Sequence, residues 1–268
     1  MARKIANIIH RGGAGKSTNS EMEAYFLATL YNKKTLLVDS DDQADVSRRI
    51  KRTFNKTDLE PKKRFMQGIR DFDLSDTIIS LHENLDLLQG DWQLENFDDY
   101  LSNNVEEKGR FFLFYTLFKE LDKHYDYIIF DTKPRTSKIT NNVVCASDYV
   151  IIPTKVSKGS IEATQRTYNY LAEISDYNED IELVGIIPYF ESETSRTSKN
   201  FKELKQAFGD DVYKNKIKWS DRVLTWEDEG VSNNALQDKF AMRMFKKVMN
   251  ETMKRIEKIE EANNNGNW

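Results

Sequence analysis

The stretch His10-Arg11-Gly12-Gly13-Ala14-Gly15-Lys16-Ser17-Thr18 decides the fold of this chain. It follows an apolar run, residues 5–9, that predicts a buried strand, and it precedes residues 17–31, whose apolar side chains recur at helical spacing. A strand, a glycine-rich turn and a helix are the context of a phosphate-binding loop, in which backbone N–H groups and the helix N-terminus attract an anion. We therefore expect Lys16 to reach the β- and γ-phosphates of a nucleotide and the Ser17 hydroxyl to ligate Mg²⁺.

The loop departs from the usual pattern G-x-x-x-x-G-K-[ST] at its first position. His10 stands where that pattern has glycine, and two adjacent glycines, Gly12 and Gly13, follow Arg11 instead. A glycine turn with a chance Gly-Lys-Ser sequence is the alternative interpretation. The flanking strand and helix favour a phosphate-binding loop.

Length and composition suit one α/β domain. With 268 residues, the chain can form one large domain or two small ones. It has no internal repeat and no clear interdomain linker, so we predict a single domain over residues 1–262 and a disordered, asparagine-rich tail at 263–268. The formal net charge of -4 argues against a wholesale polycation, so any contact with nucleic acid requires a local basic patch.

Cysteine and histidine usage excludes several kinds of site. Cys145 is the only cysteine, so one chain cannot form a disulfide or supply the paired ligands of an iron–sulfur reductase. The three histidines have no HExxH-type spacing, which argues against a zinc enzyme. No run of 18 apolar residues is present, and the first strand begins so close to Met1 that we expect no signal peptide. These features predict a soluble cytoplasmic protein.

Apolar runs alternate with helical patterns along most of the chain. This alternation predicts an α/β fold, a mostly parallel twisted sheet with helices on both faces. Further strands are predicted at 35–38, 85–88, 127–130, 149–153 and 183–188, and helices at 44–54, 110–124, 160–174, 198–208 and 234–261. We also predict a loop at 55–68 and a short helix at 73–79 with Ser75 as a possible N-cap.

Acidic residues follow two of the predicted strands. Asp39 and Asp41 come after the strand at 35–38, and Asp131 follows four apolar residues in the form of a Walker B aspartate. Ligands of open parallel sheets bind beyond the carboxyl ends of the strands, where these residues and the glycine loop meet. Ser17, Asp39 and Asp131 are therefore the candidate metal-binding residues, and Asp39 or Asp41 can orient a water for attack on the γ-phosphate.

Three motifs together resemble one family. They are the loop at 11–18, the sequence Asp39-Ser40-Asp41-Asp42-Gln43 and the sequence Asp131-Thr132-Lys133-Pro134. This set resembles the ParA/MinD family of deviant Walker A ATPases, which are P-loop NTPases. The resemblance continues in order through residues 146–153 to Gly230. It is closest to plasmid-partition ParA proteins without an N-terminal DNA-binding domain, because the first strand begins near Met1.

The resemblance implies a role for each motif. ATP and Mg²⁺ would be the cofactors, Lys16, Asp41 and Arg11 the catalytic residues, and Asp41 the residue that positions the lytic water. Arg11 stands where the family has a signature lysine that reaches the partner's phosphates across an ATP-sandwiched homodimer. The adenine contacts are expected in the segment that begins at Pro188. The implied nucleotide-binding residues are Arg11, Gly12, Gly13, Gly15, Lys16, Ser17, Thr18 and Pro188.

Two further cations distinguish this chain from the family pattern. Lys133 and Arg135 depart from the common Asp-Thr-Pro-Pro sequence and add positive charge to the second switch segment. Arginine keeps the charge of the signature lysine, but its guanidinium is planar and forked rather than a compact point charge. The sequence leaves open whether Lys133 compensates for Arg11.

Residues 196–222 form a local basic segment in an acidic chain. The segment has eight basic and four acidic residues, and the last predicted helix adds more lysines. Lysine and arginine clusters bind DNA phosphates without sequence preference, and the alternative is ordinary solvated lysine. By resemblance, Arg222 falls where ParA proteins have a DNA-binding arginine. The candidate DNA-binding residues are Arg196, Lys199, Lys218, Arg222, Lys246 and Lys247.

These observations predict a dimerising ATPase that hydrolyses ATP to ADP and phosphate and binds DNA non-specifically on the nucleoid. A centromere-binding partner protein would stimulate hydrolysis during plasmid or DNA segregation. The apolar stripe of the last helix, which includes Phe245 and Ile256, leaves two alternatives. It packs on the domain, which we favour, or it binds a membrane surface as in MinD. Positioning of a protein cargo on the nucleoid is a third possibility.

Overall fold

Eight strands form one sheet in the computed structural model, which describes residues 1–134, 136–233 and 236–266. The strands are β1 (Arg3–Asn7), β2 (Thr35–Asp39), β3 (Ile78–His82), β4 (Leu85–Leu88), β5 (Tyr127–Asp131), β6 (Tyr149–Lys155), β7 (Glu182–Phe190) and β8 (Ile217–Lys218). Their order across the sheet is β3-β4-β2-β5-β1-β6-β7-β8. All neighbouring pairs are parallel except β3 and β4, which are antiparallel. The predicted α/β class is therefore confirmed.

Ten α-helices lie within the described ranges. They are α1 (Lys16–Thr29), α2 (Asp45–Thr53), α3 (Phe65–Asp71), α4 (Phe97–Asn104), α5 (Leu113–Phe118), α6 (Lys138–Cys145), α7 (Lys158–Ile174), α8 (Ser195–Phe208), α9 (Asp221–Glu229) and α10 (Leu236–Asn264). They cover both faces of the sheet, as parallel strands require.

The central strands are buried on both faces. Leu36 and Val38 of β2 point into one apolar cluster, which also contains side chains of α3 to α8. Leu37 points into the opposite cluster, which contains side chains of α1, α2, α9 and α10. Burial on both faces explains why these strands appear in the sequence as continuous apolar runs rather than as alternating patterns.

The register of the central strands determines where the site forms. Asp39, the last residue of β2, is paired with Asp131, the last residue of β5. On the other side of β5, Asp131 is paired with Asn7, the last residue of β1. Three polar side chains therefore meet at the carboxyl edge of the sheet, directly beside the loop between β1 and α1.

Most predicted elements are present, with shifted ends. The first strand ends at Asn7 rather than at residue 9, and Ile8 and Ile9 are buried at the start of the loop. The predicted helix at 110–124 is α-helical only over α5. Its aromatic stripe is core at Phe114 and Phe118, whereas Tyr115 is exposed.

The predicted helix at 73–79 is wrong. Residues 75–77 form one 3₁₀ turn, Ser75 does not cap it with its side chain, and β3 begins at Ile78. Along β3, Ile79 and Leu81 are buried while Ser80 is exposed, which is the period of two that defines a half-buried strand. The predicted loop at 55–68 also contains the start of α3, and α6, β8 and α9 had not been predicted.

The last helix packs on the domain along the apolar stripe found in the sequence. Phe245, Val248 and Ile256 are buried against the α1 side of the sheet. The predicted start at Asn234 lies outside the described residues, and the helix ends at Asn264, inside the segment predicted to be a tail. Within the described ranges, no helix is both long and apolar enough to cross a membrane.

Ala44 adopts a left-handed conformation just before α2, with φ 54° and ψ 34°. A Cβ atom makes this conformation unfavourable by about 1–2 kcal/mol, and glycine avoids that cost but is more flexible in the unfolded chain. We expect Ala44→Gly to raise the free energy of unfolding in urea by about 0.5–1 kcal/mol. The control Ala172→Gly, at an exposed position of α7, should lower it by about 1 kcal/mol. A loss of stability in Ala44→Gly would contradict the assignment of strain.

Candidate nucleotide-binding site

The loop between β1 and α1 has the backbone that its glycines predict. Gly13 has φ 65° and Gly15 has φ 95°, a region that residues with a Cβ rarely adopt. A Cβ on Gly15 would also lie 2.7 Å from Cε1 of Tyr189, whereas one on Gly12 would meet no atom within 4 Å. Gly15 is therefore required by packing and by conformation, and Gly12 leaves the mouth of the loop open.

The first turn of α1 is fastened to the end of β5. The Ser17 hydroxyl donates a hydrogen bond to Oδ2 of Asp131 at 2.8 Å, and the Ser20 hydroxyl donates to Oδ1 at 3.1 Å. Residues three apart lie on one helix face, so both hydroxyls reach the same carboxylate. Lys16, Ser17 and Asp131, which the sequence proposed separately, are thus brought together. Ser20 is a contact that the sequence interpretation missed.

Burial and charge set the protonation tendencies of this site. Burial raises the pKa of Asp131 to about 6, opposed by the hydrogen bond from Ser17 and by the charge of Lys16. Burial lowers the pKa of Lys16, opposed by the carboxylates of Asp131 and Asp41. Lys16 and Asp131 therefore stabilise one another's charged forms.

The oxygen donors present fit a magnesium ion. Mg²⁺ prefers hard oxygen ligands and usually takes only one or two from the protein, together with phosphate and water oxygens. The Ser17 hydroxyl and the Asp131 carboxylate are adjacent and would supply these two. Within the described part of the chain, no group of three or more His, Cys, Asp or Glu side chains is arranged to hold a metal. An ion here would thus depend on the nucleotide for further ligands.

Asp39 is held differently from Asp131, although both were predicted to be near the metal. Its Oδ2 accepts hydrogen bonds from the backbone N–H of Ser47 at 3.0 Å and from the Ser47 hydroxyl at 2.7 Å. Its Oδ1 accepts from the backbone N–H of Asp41 at 3.1 Å. Burial, together with the charge of Asp131, raises the pKa of Asp39 to about 7. The geometry gives Asp39 a structural role at the first turn of α2, and its role as a metal ligand stays a prediction.

Asp41 lies at the rim of the same edge of the sheet. Its Oδ1 accepts a hydrogen bond from the backbone N–H of Gln43 at 3.1 Å. Burial raises its pKa, opposed mainly by that hydrogen bond. Next to it, Lys133 donates a hydrogen bond to Oδ2 of Asp42 at 2.6 Å. The sequence left open whether Lys133 compensates for Arg11, and in the structure the Lys133 ammonium forms an ion pair with Asp42.

The side chain of Arg11 lies against Gly159 at the start of α7. A Cβ on Gly159 would be 2.6 Å from Nη1 of Arg11, so the absence of a side chain there makes room for the guanidinium.

The residue before Arg11, His10, packs edge-on against Tyr170 with a centroid distance of 4.8 Å. Its ring nitrogens lie 3.2 Å from Oγ1 of Thr167 and 2.8 Å from Oγ1 of Thr136. His10 thus stabilises the base of the loop where a glycine was expected. Arg135 lies outside the described residues.

Thr18 turns its side chain away from the loop mouth. Its hydroxyl donates to Oε1 of Glu227 at 3.1 Å and accepts from Arg49 at 3.0 Å. Arg49 also forms ion pairs with Glu21 at 3.0 Å and with Glu227 at 3.2 Å. Thr18 therefore offers a phosphate its backbone N–H, while its side chain connects α1 to α2 and α9.

Pro188 is buried within β7, two residues before the strand ends. The next residue, Tyr189, packs its ring on Gly15. Its hydroxyl donates a hydrogen bond to Oδ1 of Asn19 at 3.3 Å. The adenine contact assigned to Pro188 stays a prediction. The contact of Tyr189 with the loop had no sequence signal, because its ring lies against a residue more than 170 positions away.

A buried polar cluster lies behind the loop. Asn7 donates a hydrogen bond to Oε2 of Glu23 at 2.7 Å, and Asn19 donates to Oδ1 of Asn7 at 2.7 Å. Oε1 of Glu23 is buried, and no donor among the described residues reaches it with the geometry of a hydrogen bond. Burial raises the pKa of Glu23 to about 7, opposed by the amides of Asn7 and Asn19.

The six predicted DNA-binding residues occupy α8, β8, α9 and α10, and they differ in availability. Arg196, Lys199, Lys246 and Lys247 are exposed. Lys218 forms an ion pair with Glu193 at 2.8 Å. Arg222 is ion-paired with the fully buried Asp238 and also donates to Ser232. The role of all six in DNA binding stays a prediction, and the guanidinium of Arg222 is already engaged by Asp238 and Ser232.

Comparison with known proteins agrees with this geometry. A family model described as an AAA domain matches residues 2–183, more than half of the chain. The chain belongs to this family, as a ParA/MinD-type ATPase.

Relatives of this ParA/MinD-type ATPase include partition and positioning proteins. It is 28% identical over 220 residues to the sporulation initiation inhibitor protein Soj of Bacillus subtilis, covering 81% of this chain and 84% of Soj. It is 25% identical over 189 residues to the maintenance of carboxysome distribution protein A of Synechococcus elongatus, covering 69% of this chain and 71% of the relative.

Solved structures share the fold over nearly the whole chain. A putative plasmid partition protein of Borrelia burgdorferi B31, bound to AMPPNP, has a TM-score of 0.75 and 25% identity and covers 96% of this chain and 99% of its own. A point variant of Cyanothece McdA in complex with ATP has a TM-score of 0.80 and 20% identity and covers 93% of this chain and 96% of its own. Nucleotide binding is therefore a property of the family to which this ATPase belongs.

We expect Gly15→Ala to disrupt the loop and Gly12→Ala to be tolerated. The strained φ and the contact with Tyr189 should lower the free energy of unfolding of Gly15→Ala by at least about 2 kcal/mol without nucleotide. Gly12→Ala should change it by less than about 0.5 kcal/mol, because its Cβ meets open space. Urea unfolding checks both variants. Equal stabilities would contradict the close packing of Tyr189 on Gly15.

The raised pKa of Glu23 predicts a pH dependence of stability. Its folded-state pKa of about 7 exceeds the unfolded value of 4.5, so its contribution is fully present below pH 4.5 and is lost as the pH rises to 7. Between pH 4.5 and pH 8, the free energy of unfolding of the wild type should therefore fall by about 2–3 kcal/mol relative to that of Glu23→Gln. Urea unfolding across this range measures the difference. The exposed variant Glu179→Gln is the control, and parallel curves for wild type and Glu23→Gln would contradict the prediction.

Proposed function

We propose that this ParA/MinD-type ATPase hydrolyses ATP with Mg²⁺ and uses the ATP-bound, dimeric state to bind DNA without sequence preference. Its task is then the segregation of a plasmid or other DNA along the nucleoid, with a centromere-binding partner that stimulates hydrolysis. The observation that carries the proposal is the placement of Lys16, Ser17 and Asp131 around one glycine loop, in an acidic chain whose residues 196–222 form a basic segment.

Each site residue has a proposed task. Backbone N–H groups of the loop and the start of α1 bind the phosphates, and Lys16 neutralises the β- and γ-phosphate oxygens. Ser17 and Asp131 hold Mg²⁺, which neutralises charge that develops on the phosphates. Asp41 orients the attacking water, since it lies at the rim of the same edge. Arg11 would turn from Gly159 towards the phosphates of the partner subunit in the ATP-bound dimer.

Non-specific DNA binding is supported by charge. Arg196, Lys199, Lys246 and Lys247 are exposed on α8 and α10, whereas the chain as a whole is acidic. A local basic patch on an acidic protein attracts phosphates while the rest of the surface repels them. The proposal places the protein on the nucleoid.

Two other functions remain as alternatives. The 25% identity to the carboxysome distribution protein A supports the positioning of a protein cargo, with the nucleoid again as the track. A MinD-like membrane function has less support, because the apolar side chains of α10 are buried in the domain. Sedimentation with anionic liposomes and ATP tests that function directly.

The test of the proposed function is ATP-dependent retention of DNA. Wild-type protein with ATP and Mg²⁺ should bind a non-specific duplex at least about tenfold more tightly than without nucleotide, and Lys16→Ala should lose this difference. ATP turnover is measured on the same samples. A DNA affinity that is the same with and without ATP would contradict the model.

The DNA surface is tested in the same assay. Replacing Lys246 and Lys247 together by glutamate should weaken DNA binding at least about tenfold and reduce its salt dependence, because phosphate contacts release counterions. The control replaces the exposed Lys119 and Lys123 by glutamate and gives the same change in net charge. Equal loss in both variants would show that net charge, and not this surface, determines binding.

A further inference from the structure

The segments after β2 and β5 are joined at two levels. At the base, the backbone N–H and the hydroxyl of Ser40 both donate to the backbone oxygen of Asp131, at 3.1 and 2.5 Å. At the rim, the Lys133 ammonium donates to Oδ2 of Asp42 at 2.6 Å. The side chains of Lys133 and Asp42 are only 19% and 23% exposed, so this ion pair is sheltered from the solvent that weakens surface pairs.

Each partner of the pair is adjacent to a residue of the site. Asp42 follows Asp41, and Lys133 lies two residues after Asp131. The segment of Lys133 is also anchored from below, because the Thr132 hydroxyl donates to the backbone oxygen of Asn7 at 2.8 Å. Lys133 therefore extends from an anchored segment, and its ammonium links that segment to the one that carries Asp41 and Asp42.

We infer that the Lys133–Asp42 ion pair positions Asp41 for hydrolysis by holding the two segments that carry Asp41 and Asp131 at a fixed separation. Lys133 and Asp42 are positioning residues. They act through Asp41 and contribute little to the binding of the nucleotide. This inference rests on the proposed ATP hydrolysis and adds to it the residues that set its rate.

The contacts explain why the pair is needed. In the described part of the chain, the side chain of Asp41 is contacted by the N–H of Gln43 and by the carboxyl of Asp42, both of which belong to the same turn. Such local contacts orient the side chain within the turn but do not fix the turn relative to β5. Among the described residues, Ser40 and Lys133 supply the hydrogen bonds that join the two segments, and Ser40 acts at the base. A nucleophilic water misplaced by about 1 Å reacts up to about a hundredfold more slowly, so control at the rim affects turnover.

The test is a double-mutant cycle on ATP turnover with Mg²⁺. The variants are Lys133→Met, Asp42→Asn and the two combined, with Lys133→Arg as the conservative replacement. Lys63→Met is the matched control, since Lys63 is 21% exposed and paired with Asp71 at 3.1 Å outside the site. Affinity for a non-hydrolysable ATP analogue and the midpoint of urea unfolding are measured for every variant.

We expect each single variant to lower kcat by about tenfold with KM and analogue affinity within about twofold of wild type. The double variant should be no worse than either single variant, because both remove the same pair. Lys133→Arg should recover most of the turnover, and Lys63→Met should be like wild type. A purely structural effect would instead lower the urea midpoint and leave kcat per folded molecule unchanged.

Other outcomes overturn the inference. If Lys133→Met mainly raises KM and lowers the affinity for the ATP analogue, Lys133 binds the nucleotide directly. If Asp42→Asn raises kcat while Lys133→Met lowers it, Asp42 restrains Lys133 instead of positioning Asp41. Wild-type kcat in both single variants would show that the pair has no part in turnover while leaving ATP hydrolysis itself established. Absence of turnover in the wild type would overturn the proposed function together with this inference.

Discussion

The buried carboxylate of Asp131 is the contact on which the site depends. It ends the central strand β5, and it accepts hydrogen bonds from Ser17 and Ser20 on the first turn of α1. The strand and the helix that begins the phosphate-binding loop therefore cannot shift independently. Because β5 lies between β1 and β2 in register, the same residue is paired with Asn7 and Asp39. The hydrogen bonds and the strand pairing of Asp131 therefore position the loop, the strand ends and the candidate metal ligands together.

This arrangement conflicts with stability at neutral pH. Asp39 and Asp131 at the ends of β2 and β5, and Glu21 and Glu23 on α1, are all buried, and burial raises the pKa of each. Ionised carboxylates in such positions destabilise the fold unless cations or hydrogen-bond donors offset them. Arg49 does so for Glu21, and Lys16 does so for Asp131. Bound Mg²⁺ would add to this compensation, so ligand binding and stability are connected.

The sequence predicted the parts of the site that follow from local pattern. The glycine loop and Asp131 were found because continuous apolar runs mark buried parallel strands. The hydrogen-bond and ion-pair partners of these side chains could not be predicted, because the partners lie far apart in the chain. Thr18 and Glu227, for example, are 209 positions apart. A sequence pattern identifies the face of a helix but not the element that packs on it. The strand β3 was missed because its alternation spans only a few residues.

The basic residues of the C-terminal third are not equivalent, although their charges are alike. Arg222 is engaged by Asp238 and Ser232, and opening its pair with Asp238 removes a cation from a fully buried carboxylate, which also accepts hydrogen bonds from Trp226 and Ser232. Breaking such a pair costs about 3–5 kcal/mol when nothing replaces the lost partner. Lys246 and Lys247 are already exposed on α10, so a phosphate can approach them without that cost. Among the residues proposed for DNA binding, the lysines of α10 are therefore available to a phosphate at a lower cost than Arg222.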